Sequence, residues 1–281
     1  MKHTSKLKLQ PFNGPSYNEF LHYTLTDVSK IARTFFGKVE GVTKPDNTVV
    51  TKVDFKIGKQ IIDKLQNTFP DANIIDEEKG VIDKQSKLTW VIDPIDGTSN
   101  YALGIPLYGI MIGLLENNQP IAGGVALPYF NEIIIAEKNK GAFCNATPIH
   151  VTKEKTLRST LVAYGSDPHY EDPAITRKEF QKLFQIYLGI RNLRSSNCVY
   201  DSMLVAKGKY GGFLSRTSKI WDNVAQQVIL EESGAVYTDF FGNSINYSNP
   251  LRKVNDNFTF CMASPTLHNS LQQLIAKKSD Y

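Results

Sequence analysis

The middle third of the chain constrains the fold most, because it consists of apolar, β-rich runs separated by turn residues. These runs cover residues 89–92, 108–115, 121–127 and 132–136. The last three are joined by turns of only a few residues, and strands joined in this way pair antiparallel. We therefore expect an antiparallel sheet at the centre of the chain.

Helical patterns precede this sheet. Ser16 followed by Glu19 is the sequence pattern of a capping box, and apolar residues at helical spacing extend the helix toward Gly37. A second helix is predicted over residues 54–68, with Pro70 just past its end.

Beyond about residue 161 the pattern alternates between strands and helices. The predicted strands cover 161–164, 212–215, 235–240 and 258–263, and the predicted helices cover 175–188, 199–208, 221–233 and a final segment after Ser264. Helices, then antiparallel strands, then alternation indicate an α/β (α+β) fold with two layered subdomains in one compact unit. We place the N-terminal α+β subdomain, which would carry most of the metal ligands, at residues 1–152. The C-terminal α/β subdomain would cover 153–281.

Composition excludes several classes of protein. With 281 residues, 41% of them hydrophobic, and a net charge of +4, the chain has a globular composition without the concentrated Lys/Arg run of a nucleic-acid binder. Its longest apolar stretch, 102–115, is too short to span a bilayer, and no signal sequence is recognisable after Met1. The three cysteines, Cys144, Cys198 and Cys261, lack metal-ligand spacing. We expect a cytoplasmic protein with no membrane or nucleic-acid partner.

The segment with the most chemistry is an acidic motif at residues 90–100, which reads Trp-Val-Ile-Asp-Pro-Ile-Asp-Gly-Thr-Ser-Asn. A strand leads into Asp93, and an aspartate followed by a proline is typical of a β-turn. Such a turn would bring the carboxylates of Asp93 and Asp96 to one side and free the Ile95 carbonyl as a further ligand. Carboxylate and carbonyl oxygens are hard ligands, which suit Mg²⁺ or Ca²⁺ better than zinc.

The next three residues, Gly97, Thr98 and Ser99, suit the start of a helical turn. A helix start presents free backbone N–H groups and the positive end of the helix dipole, so it favours a phosphate group. Taken alone, the motif is equally well interpreted as a solvated turn.

Three further acidic positions lie at predicted element ends. Glu77 follows an apolar strand with Glu78 beside it, and Asp54 and Asp222 lie where helices begin. Considered singly, Glu77 could belong to an acidic loop and Asp222 could be a helix N-cap. Carboxylates that converge repel one another, so such a cluster usually implies a cation.

These acidic elements occur along the chain in the order Asp54, Glu77-Glu78, the motif at 90–100, and Trp221-Asp222. In this order they resemble the inositol monophosphatase family of Mg²⁺-dependent, lithium-sensitive-type phosphatases, and the resemblance covers about residues 20 to 265. It implies a layered α-β-α-β-α sandwich of the inositol monophosphatase/fructose bisphosphatase type, two or three bound Mg²⁺ ions and a homodimer.

The resemblance also implies a role for each matching residue. The implied metal ligands are Glu77, Asp93, the Ile95 carbonyl, Asp96 and Asp222. The implied catalytic residues are Asp54, Thr98 and Glu77, with Thr98 hydrogen-bonded to Asp54 so that it orients the attacking water. The implied substrate-binding residues are Asp96, Gly97, Thr98, Ser99, Ser196, Asn197, Ser215 and Asp222.

Two departures from the family pattern leave the substrate open. Many inositol-preferring relatives have a glutamate where this chain has Ser215, and the stretch 194–201 departs from their Gly-Ser-Ala-Ala pattern. Arg216 and Lys219 are interpreted either as solvated charges or as groups that favour a second anionic group on the substrate.

We therefore predict Mg²⁺-dependent hydrolysis of a small phosphorylated metabolite that resembles inositol-1-phosphate. A histidinol-phosphate or fructose-1,6-bisphosphate phosphatase is the alternative within the same chemistry. A non-catalytic, regulatory metal-binding protein is the alternative of a different class.

Overall fold

The computed structural model describes residues 16–45 and 47–277, and these residues form seven α-helices and fifteen β-strands. The helices are α1 (Tyr17–Phe35), α2 (Lys52–Thr68), α3 (Thr98–Ala102), α4 (Pro173–Gly189), α5 (Val199–Ala206), α6 (Ile220–Glu232) and α7 (Pro265–Ala276). The strands are β1 (Val42–Thr43), β2 (Val49–Val50), β3 (Asn73–Asp76), β4 (Gly80–Ile82), β5 (Leu88–Asp96), β6 (Gly109–Glu116), β7 (Gln119–Leu127), β8 (Glu132–Glu137), β9 (Ala142–Cys144), β10 (Thr147–Pro148), β11 (Leu161–Gly165), β12 (Asn192–Arg194), β13 (Gly212–Ser218), β14 (Val236–Thr238) and β15 (Phe258–Ala263).

Capping residues position the first two helices. The Ser16 hydroxyl oxygen accepts a hydrogen bond from the Glu19 N–H at 3.2 Å, and the Glu19 carboxylate accepts one from the Ser16 N–H at 2.9 Å, so the predicted capping box is confirmed. α2 begins at Lys52 rather than at Asp54, because Thr51 is its N-cap and the Asp54 carboxylate bonds back to Thr51. Asp54 is thereby held in the first turn of α2.

The larger sheet of the described part has eight strands in the order β10-β9-β8-β7-β6-β5-β3-β4. Its strands from β5 through β8 pair antiparallel in sequence order, as the short turns predicted. β3 lies parallel to β5, so the carboxyl ends of these two strands meet at one edge of the sheet. Both acidic segments of the sequence therefore arrive at the same place.

The smaller sheet of the described part has five strands in the order β12-β11-β13-β15-β14. β11 and β13 are parallel, with Gly165 opposite Ser215 near their carboxyl ends, and β15 runs antiparallel to β13. The loop after β11 and the end of β13 therefore lie side by side.

Helices cover both sheets and fill the space between them. α1 and α2 pack on one face of the larger sheet, in an apolar cluster that includes Leu25, Ile61 and Ile112. α5 and α6 lie between the sheets, and α4 and α7 cover the outer face of the smaller one. The predicted α-β-α-β-α sandwich is confirmed. Among the described helices, none is both long enough and apolar enough for a bilayer crossing.

The strands that the sequence did not predict are short. β1, β2, β4, β9, β10 and β12 have two or three residues each, too few to show a periodic pattern. The larger sheet ends at Pro148 and the smaller begins at Leu161, on either side of the predicted boundary. Because α6 packs against both sheets, the division into two subdomains stays a prediction.

Two glycines of the larger sheet let α6 approach its surface closely. A Cβ atom at Gly113 would lie 2.7 Å from the Ala225 backbone nitrogen, and one at Gly123 would overlap the Ala225 carbonyl oxygen. Since both obstacles are backbone atoms, they cannot rotate away. The spacing between α6 and the sheet therefore depends on these glycines.

We expect Gly123→Ala to destabilise the protein by about 1–3 kcal/mol, because α6 must shift to accommodate the methyl group. Urea unfolding measures this change. Gln119→Ala, at the exposed start of the same strand, is the control and should change stability by less than about 0.5 kcal/mol. Equal unfolding midpoints for the two variants would contradict the proposed role of Gly123.

Candidate metal centre and active site

The acidic end of β5 is a β-bulge. Asp93 pairs with Met111 and Asp96 pairs with Gly109, so β5 has one residue more than β6 over this segment. The predicted β-turn is wrong. In a regular strand, residues three positions apart face opposite sides of the sheet, and the extra residue of the bulge brings Asp93 and Asp96 to one side.

Asp222 is the third residue of α6 and not its N-cap. Lys219 occupies the N-cap position, and its N–H donates to the Asp222 carboxylate at 2.6 Å. The N-cap interpretation of Asp222 is therefore wrong, because the helix begins at Ile220. From the third position of α6, the Asp222 carboxylate reaches back to the N–H group of the N-cap residue.

Three carboxylates from these two segments converge. Asp93, Asp96 and Asp222 each offer one oxygen atom, and the three atoms lie within 4.8 Å of one another. Burial, followed by the charges of neighbouring carboxylates, raises the pKa of Asp93 well above its usual value. Burial and nearby carboxylates likewise raise the pKa values of Asp96 and Asp222 to about 7.

These carboxylates fit a divalent metal ion. In the described part of the chain, the Asp93 Oδ1 atom is buried without a hydrogen-bond partner, so it is available as a ligand. Three oxygen donors that repel one another, buried at Asp93 and half-buried at Asp96 and Asp222, suit a hard cation such as Mg²⁺. The Ile95 carbonyl lies in the same bulge and accepts a hydrogen bond from the Thr98 hydroxyl at 2.8 Å.

Glu77 lies beside this group but is paired with a lysine. Its carboxylate is 3.1 Å from the Lys44 ammonium, which also contacts Glu78 at 2.8 Å. Burial raises the pKa of Glu77 to about 7 although Lys44 opposes the rise, and the charge of Asp222 adds to it. The sequence showed Lys44 only as one charge of a polar loop, and its contact with Glu77 was not predicted.

Asp54 and Thr98 form a pair at the junction of α2 and α3. The Thr98 hydroxyl lies 3.2 Å from Asp54 Oδ1, so the hydrogen bond expected between them is present. The other Asp54 oxygen accepts bonds from the N–H and the hydroxyl of Thr51 at 2.9 and 2.6 Å. Burial raises the pKa of Asp54, although the bonds from Thr51 and Thr98 oppose the rise.

Gly97 allows the chain to turn from β5 into α3. Its φ is +83°, and a Cβ atom there would lie 3.0 Å from the Leu107 carbonyl oxygen and 3.1 Å from the Cys198 Cβ. A side chain is therefore excluded on both counts. The predicted helical turn after Gly97 is confirmed as α3, which begins at Thr98.

Helix N-termini surround the carboxylates. α2 begins near Asp54, α3 follows the bulge, and α6 carries Asp222 in its first turn. The N–H of Val199, the first residue of α5, donates to Asp96 Oδ2. The positive ends of these helices offset part of the negative charge and also favour an anionic ligand.

A cavity of about 160 Å³ opens beside these carboxylates. The predicted substrate-binding residues that line it are Asp96, Asn197, Ser215 and Asp222. The other predicted substrate-binding residues lie outside its lining, and they are Gly97, Thr98, Ser99 and Ser196. The sequence did not single out two further lining residues, Asp167 and Cys198. Asp167 had a recognisable signal, because it follows β11 at a carboxyl strand end, whereas Cys198 had none.

Neither Arg216 nor Lys219 lines this cavity. The Arg216 guanidinium lies 5.7 Å from the ring centres of Phe240 and Phe241, and Phe240 belongs to the core on the outer face of the smaller sheet. The Lys219 ammonium donates to the Asn255 carbonyl at 2.9 Å. These contacts direct both charges away from this cavity, so the structure gives no support to the interpretation that they favour a second anionic group on the substrate.

Comparison with known proteins places this site in a family. Residues 23–280 match the sequence model of the inositol monophosphatase family. The chain belongs to the inositol monophosphatase family. It is 33% identical over 213 residues to a fructose-1,6-bisphosphatase/inositol-1-monophosphatase of Aquifex aeolicus, a match that covers 74% of this chain and 80% of that protein.

Two other comparisons broaden this view of the family. The chain is 30% identical over 209 residues to the Nus factor SuhB of Haemophilus influenzae, which covers 73% of this chain and 78% of that protein. Its fold matches the structure of an IMPase from Thermotoga maritima with a TM-score of 0.80 and 26% identity, over 93% of this chain and 97% of the other.

The raised pKa values predict a pH-dependent effect of Mg²⁺ on stability. The pKa values of Asp96 and Asp222 are raised to about 7 in the folded metal-free protein. In the unfolded chain an aspartate has a pKa of about 4. Between these values the folded state holds more protons, so its stability falls as the pH rises from about 4 to about 7. Mg²⁺ competes with these protons, and we expect it to raise the Tm by several degrees at about pH 8 and little at about pH 5.

Thermal unfolding followed by circular dichroism, with Mg²⁺ or with EDTA, measures this difference. Na⁺ at matched ionic strength is the control for screening of the carboxylates. An equal Mg²⁺-induced shift at both pH values would show that these carboxylates do not bind the ion.

Proposed function

We propose that the chain is a Mg²⁺-dependent phosphomonoesterase that hydrolyses a small phosphorylated metabolite of the inositol-1-phosphate kind by direct attack of water on phosphorus. The observation that carries this proposal is the convergence of Asp93, Asp96 and Asp222 next to the Asp54–Thr98 pair and a small cavity. Phosphoryl transfer needs positioning and charge stabilisation more than covalent chemistry, and this arrangement offers both.

Asp93, Asp96, Asp222, Glu77 and the Ile95 carbonyl would hold two or three Mg²⁺ ions. Bound there, Mg²⁺ supplies positive charge that lowers the pKa of water and stabilises the charge that develops on the phosphate and the leaving oxygen. The Lys44 ammonium faces Glu77, so the chain itself supplies a positive charge on that side of the group.

Thr98 would relay the proton of the attacking water, and Asp54 would accept it. The single Thr98 hydroxyl proton can point to the Ile95 carbonyl at 2.8 Å or to Asp54 Oδ1 at 3.2 Å, and in the second orientation the lone pairs of the Thr98 oxygen are free to accept a hydrogen bond from water. The proton then passes through Thr98 to Asp54, whose raised pKa makes it a better base than an exposed aspartate. Thr51 holds the Asp54 carboxylate in place from the other side.

The phosphate would lie against the start of α3, where the backbone N–H groups of Gly97, Thr98 and Ser99 are the proposed donors. Asp96, Asn197, Ser215 and Asp222 would contact the alcohol part of the substrate, because they line the cavity. Ser196 is a weaker candidate, because its N–H is bonded to Asp201 at 2.7 Å and its side chain does not line the cavity.

Two alternatives keep an observation in their favour. The Aquifex relative is named as a fructose-1,6-bisphosphatase as well as an inositol-1-monophosphatase, and a histidinol-phosphate phosphatase would use the same centre. The Haemophilus relative is named as a Nus factor, so a regulatory role for this chain remains the alternative of a different class. A homodimer, a cytoplasmic location and the absence of a nucleic-acid partner stay predictions.

We expect Asp96→Asn to lower kcat for phosphate release by at least about a hundredfold, because it removes one of the three convergent charges. The variant should stay folded and gain stability in EDTA, since a repelling charge is lost. Asp71→Asn, at an exposed position before the start of β3, whereas Glu77 follows its end, is the matched control. Full activity of Asp96→Asn would overturn the metal assignment.

Thr98→Val should lower kcat by about a hundredfold and leave KM nearly unchanged, because it removes the hydroxyl between Asp54 and the water but keeps the side-chain volume. Thr98→Ser retains a hydroxyl and should keep most of the activity. Steady-state kinetics with saturating Mg²⁺ measure both variants. If valine and serine gave the same kcat, the proton path through Thr98 would be wrong.

A further inference from the structure

Asp167 contributes a carboxylate to the cavity wall. It lies in the loop after β11 and lines the cavity opposite the larger sheet, together with Asp96 and Asp222. Its Oδ1 atom accepts a hydrogen bond from the Asn197 side-chain amide at 3.0 Å. Asp167 and Asn197 therefore form one polar pair, contributed by the loop after β11 and by the segment before α5.

The loop that carries Asp167 is held from behind by α4. The His169 N–H donates to the Thr176 hydroxyl at 3.0 Å, and the His169 Nε2 atom lies 3.8 Å from the fully buried Glu179 carboxylate. These contacts lie outside the cavity and join the loop to the first turns of α4. They keep Asp167 beside Asn197 without using its carboxylate.

The charge of Asp167 is not compensated by a neighbouring cation. Among the described residues, no lysine, arginine or histidine nitrogen lies within 4.0 Å of its carboxylate. Two Mg²⁺ ions would balance the four charges of Glu77, Asp93, Asp96 and Asp222, and the charge of Asp167 would remain. Asp167 lies near the metal centre, because its charge adds to the effects of burial and of Asp96 that raise the pKa of Asp222.

The rest of this wall also offers acceptors. The Ser215 hydroxyl donates to the Thr217 carbonyl at 2.8 Å and accepts from the Thr217 N–H at 3.2 Å, so one acceptor position remains for a ligand. Arg216, which directly follows Ser215 in sequence, packs on the opposite face of the smaller sheet against Phe240. Among the described residues, the lining of the cavity includes Asp96, Asp167 and Asp222 but no lysine, arginine or histidine, so it carries negative charge and offers mainly acceptors. The Thr217 hydroxyl, which has no partner in the described part of the chain, can both donate and accept there.

We propose that Asp167, oriented by Asn197, is a specificity-determining residue that selects phosphomonoesters whose alcohol part carries hydroxyl or ammonium donors and rejects substrates with a second phosphate. This inference rests on the proposed phosphatase function. Asp167 lines the cavity but is exposed, so solvent screens part of its charge; an anionic group at this wall would still meet a like charge, which disfavours its binding. A hydroxyl or ammonium group would instead meet an ionised acceptor.

The test compares the full-length chain with its Asp167→Asn and Asp167→Ala variants at saturating Mg²⁺. The probes are inositol-1-phosphate for hydroxyl donors, histidinol phosphate for an ammonium donor, and fructose-1,6-bisphosphate for a second phosphate. Asp71→Asn is again the matched control, because it removes an equal charge from an exposed position that does not line the cavity. Circular dichroism checks that each variant is folded.

In the wild type we expect kcat/KM to be lowest for the bisphosphate. Asp167→Asn should raise kcat/KM for the bisphosphate, relative to the monophosphates, by about tenfold, and the control should not. If the wall binds an ammonium group, Asp167→Asn lowers kcat/KM for histidinol phosphate. If it binds hydroxyls, only Asp167→Ala lowers kcat/KM for inositol-1-phosphate, because asparagine still accepts a hydrogen bond. Either pattern supports the proposal.

Unchanged ratios among the three substrates in Asp167→Asn would overturn the role of Asp167 and leave the phosphatase function standing. If the wild type releases phosphate from none of the three, it is the phosphatase function that fails on these substrates. The selectivity is then measured as Kd by titration calorimetry with the same compounds and Mg²⁺. Equal Kd ratios in wild type and Asp167→Asn would overturn the proposal at the level of binding.

Discussion

The mutual repulsion of Asp93, Asp96 and Asp222 is the constraint on which the rest of the site depends. Three carboxylates with oxygens within 4.8 Å of one another are unstable when ionised and buried, as their raised pKa values show. The fold reduces this cost locally, because the backbone N–H groups of Val199 and Lys219 donate to Asp96 and Asp222. The charge that remains creates the affinity for a divalent cation.

This constraint explains why both sheets contribute to one site. The larger sheet supplies Asp93 and Asp96 from a single bulged strand, and the third carboxylate comes from α6, which lies between the sheets. α6 can place Asp222 there only if it lies close to the larger sheet, and Gly113 and Gly123 leave that space. The packing of backbone on backbone therefore determines the distance between carboxylates that are more than a hundred residues apart in sequence.

Local signals made much of the fold predictable. The capping box at Ser16, the antiparallel runs and the β/α alternation all act within a few residues, and the family resemblance added the order of the layers. The prediction failed where a side chain's direction depends on distant partners. An Asp-Pro pair is typical of a turn, yet the pairing of β5 with β6 makes this segment a bulge. Arg216 points away from the cavity, because its neighbour Ser215 faces the cavity and adjacent residues of a strand face opposite sides. The contact between Lys44 and Glu77 joins two loops and had no local signal.

The two sheets supply different parts of the site, and this arrangement affects how substrates can be distinguished. The groups suited to the phosphate and the attacking water, between Asp54 and Ser99 in sequence, lie at or beside the carboxyl ends of strands of the larger sheet, whereas Asp167 and Ser215 belong to the smaller sheet and the loop that follows its strand β11. Changes in the second wall could therefore alter the alcohol of the proposed substrate without moving the carboxylates that would hold the metal. Relatives with one chemistry and different substrates are expected from this arrangement, since selectivity depends on a few side chains that the bulge and α6 do not need.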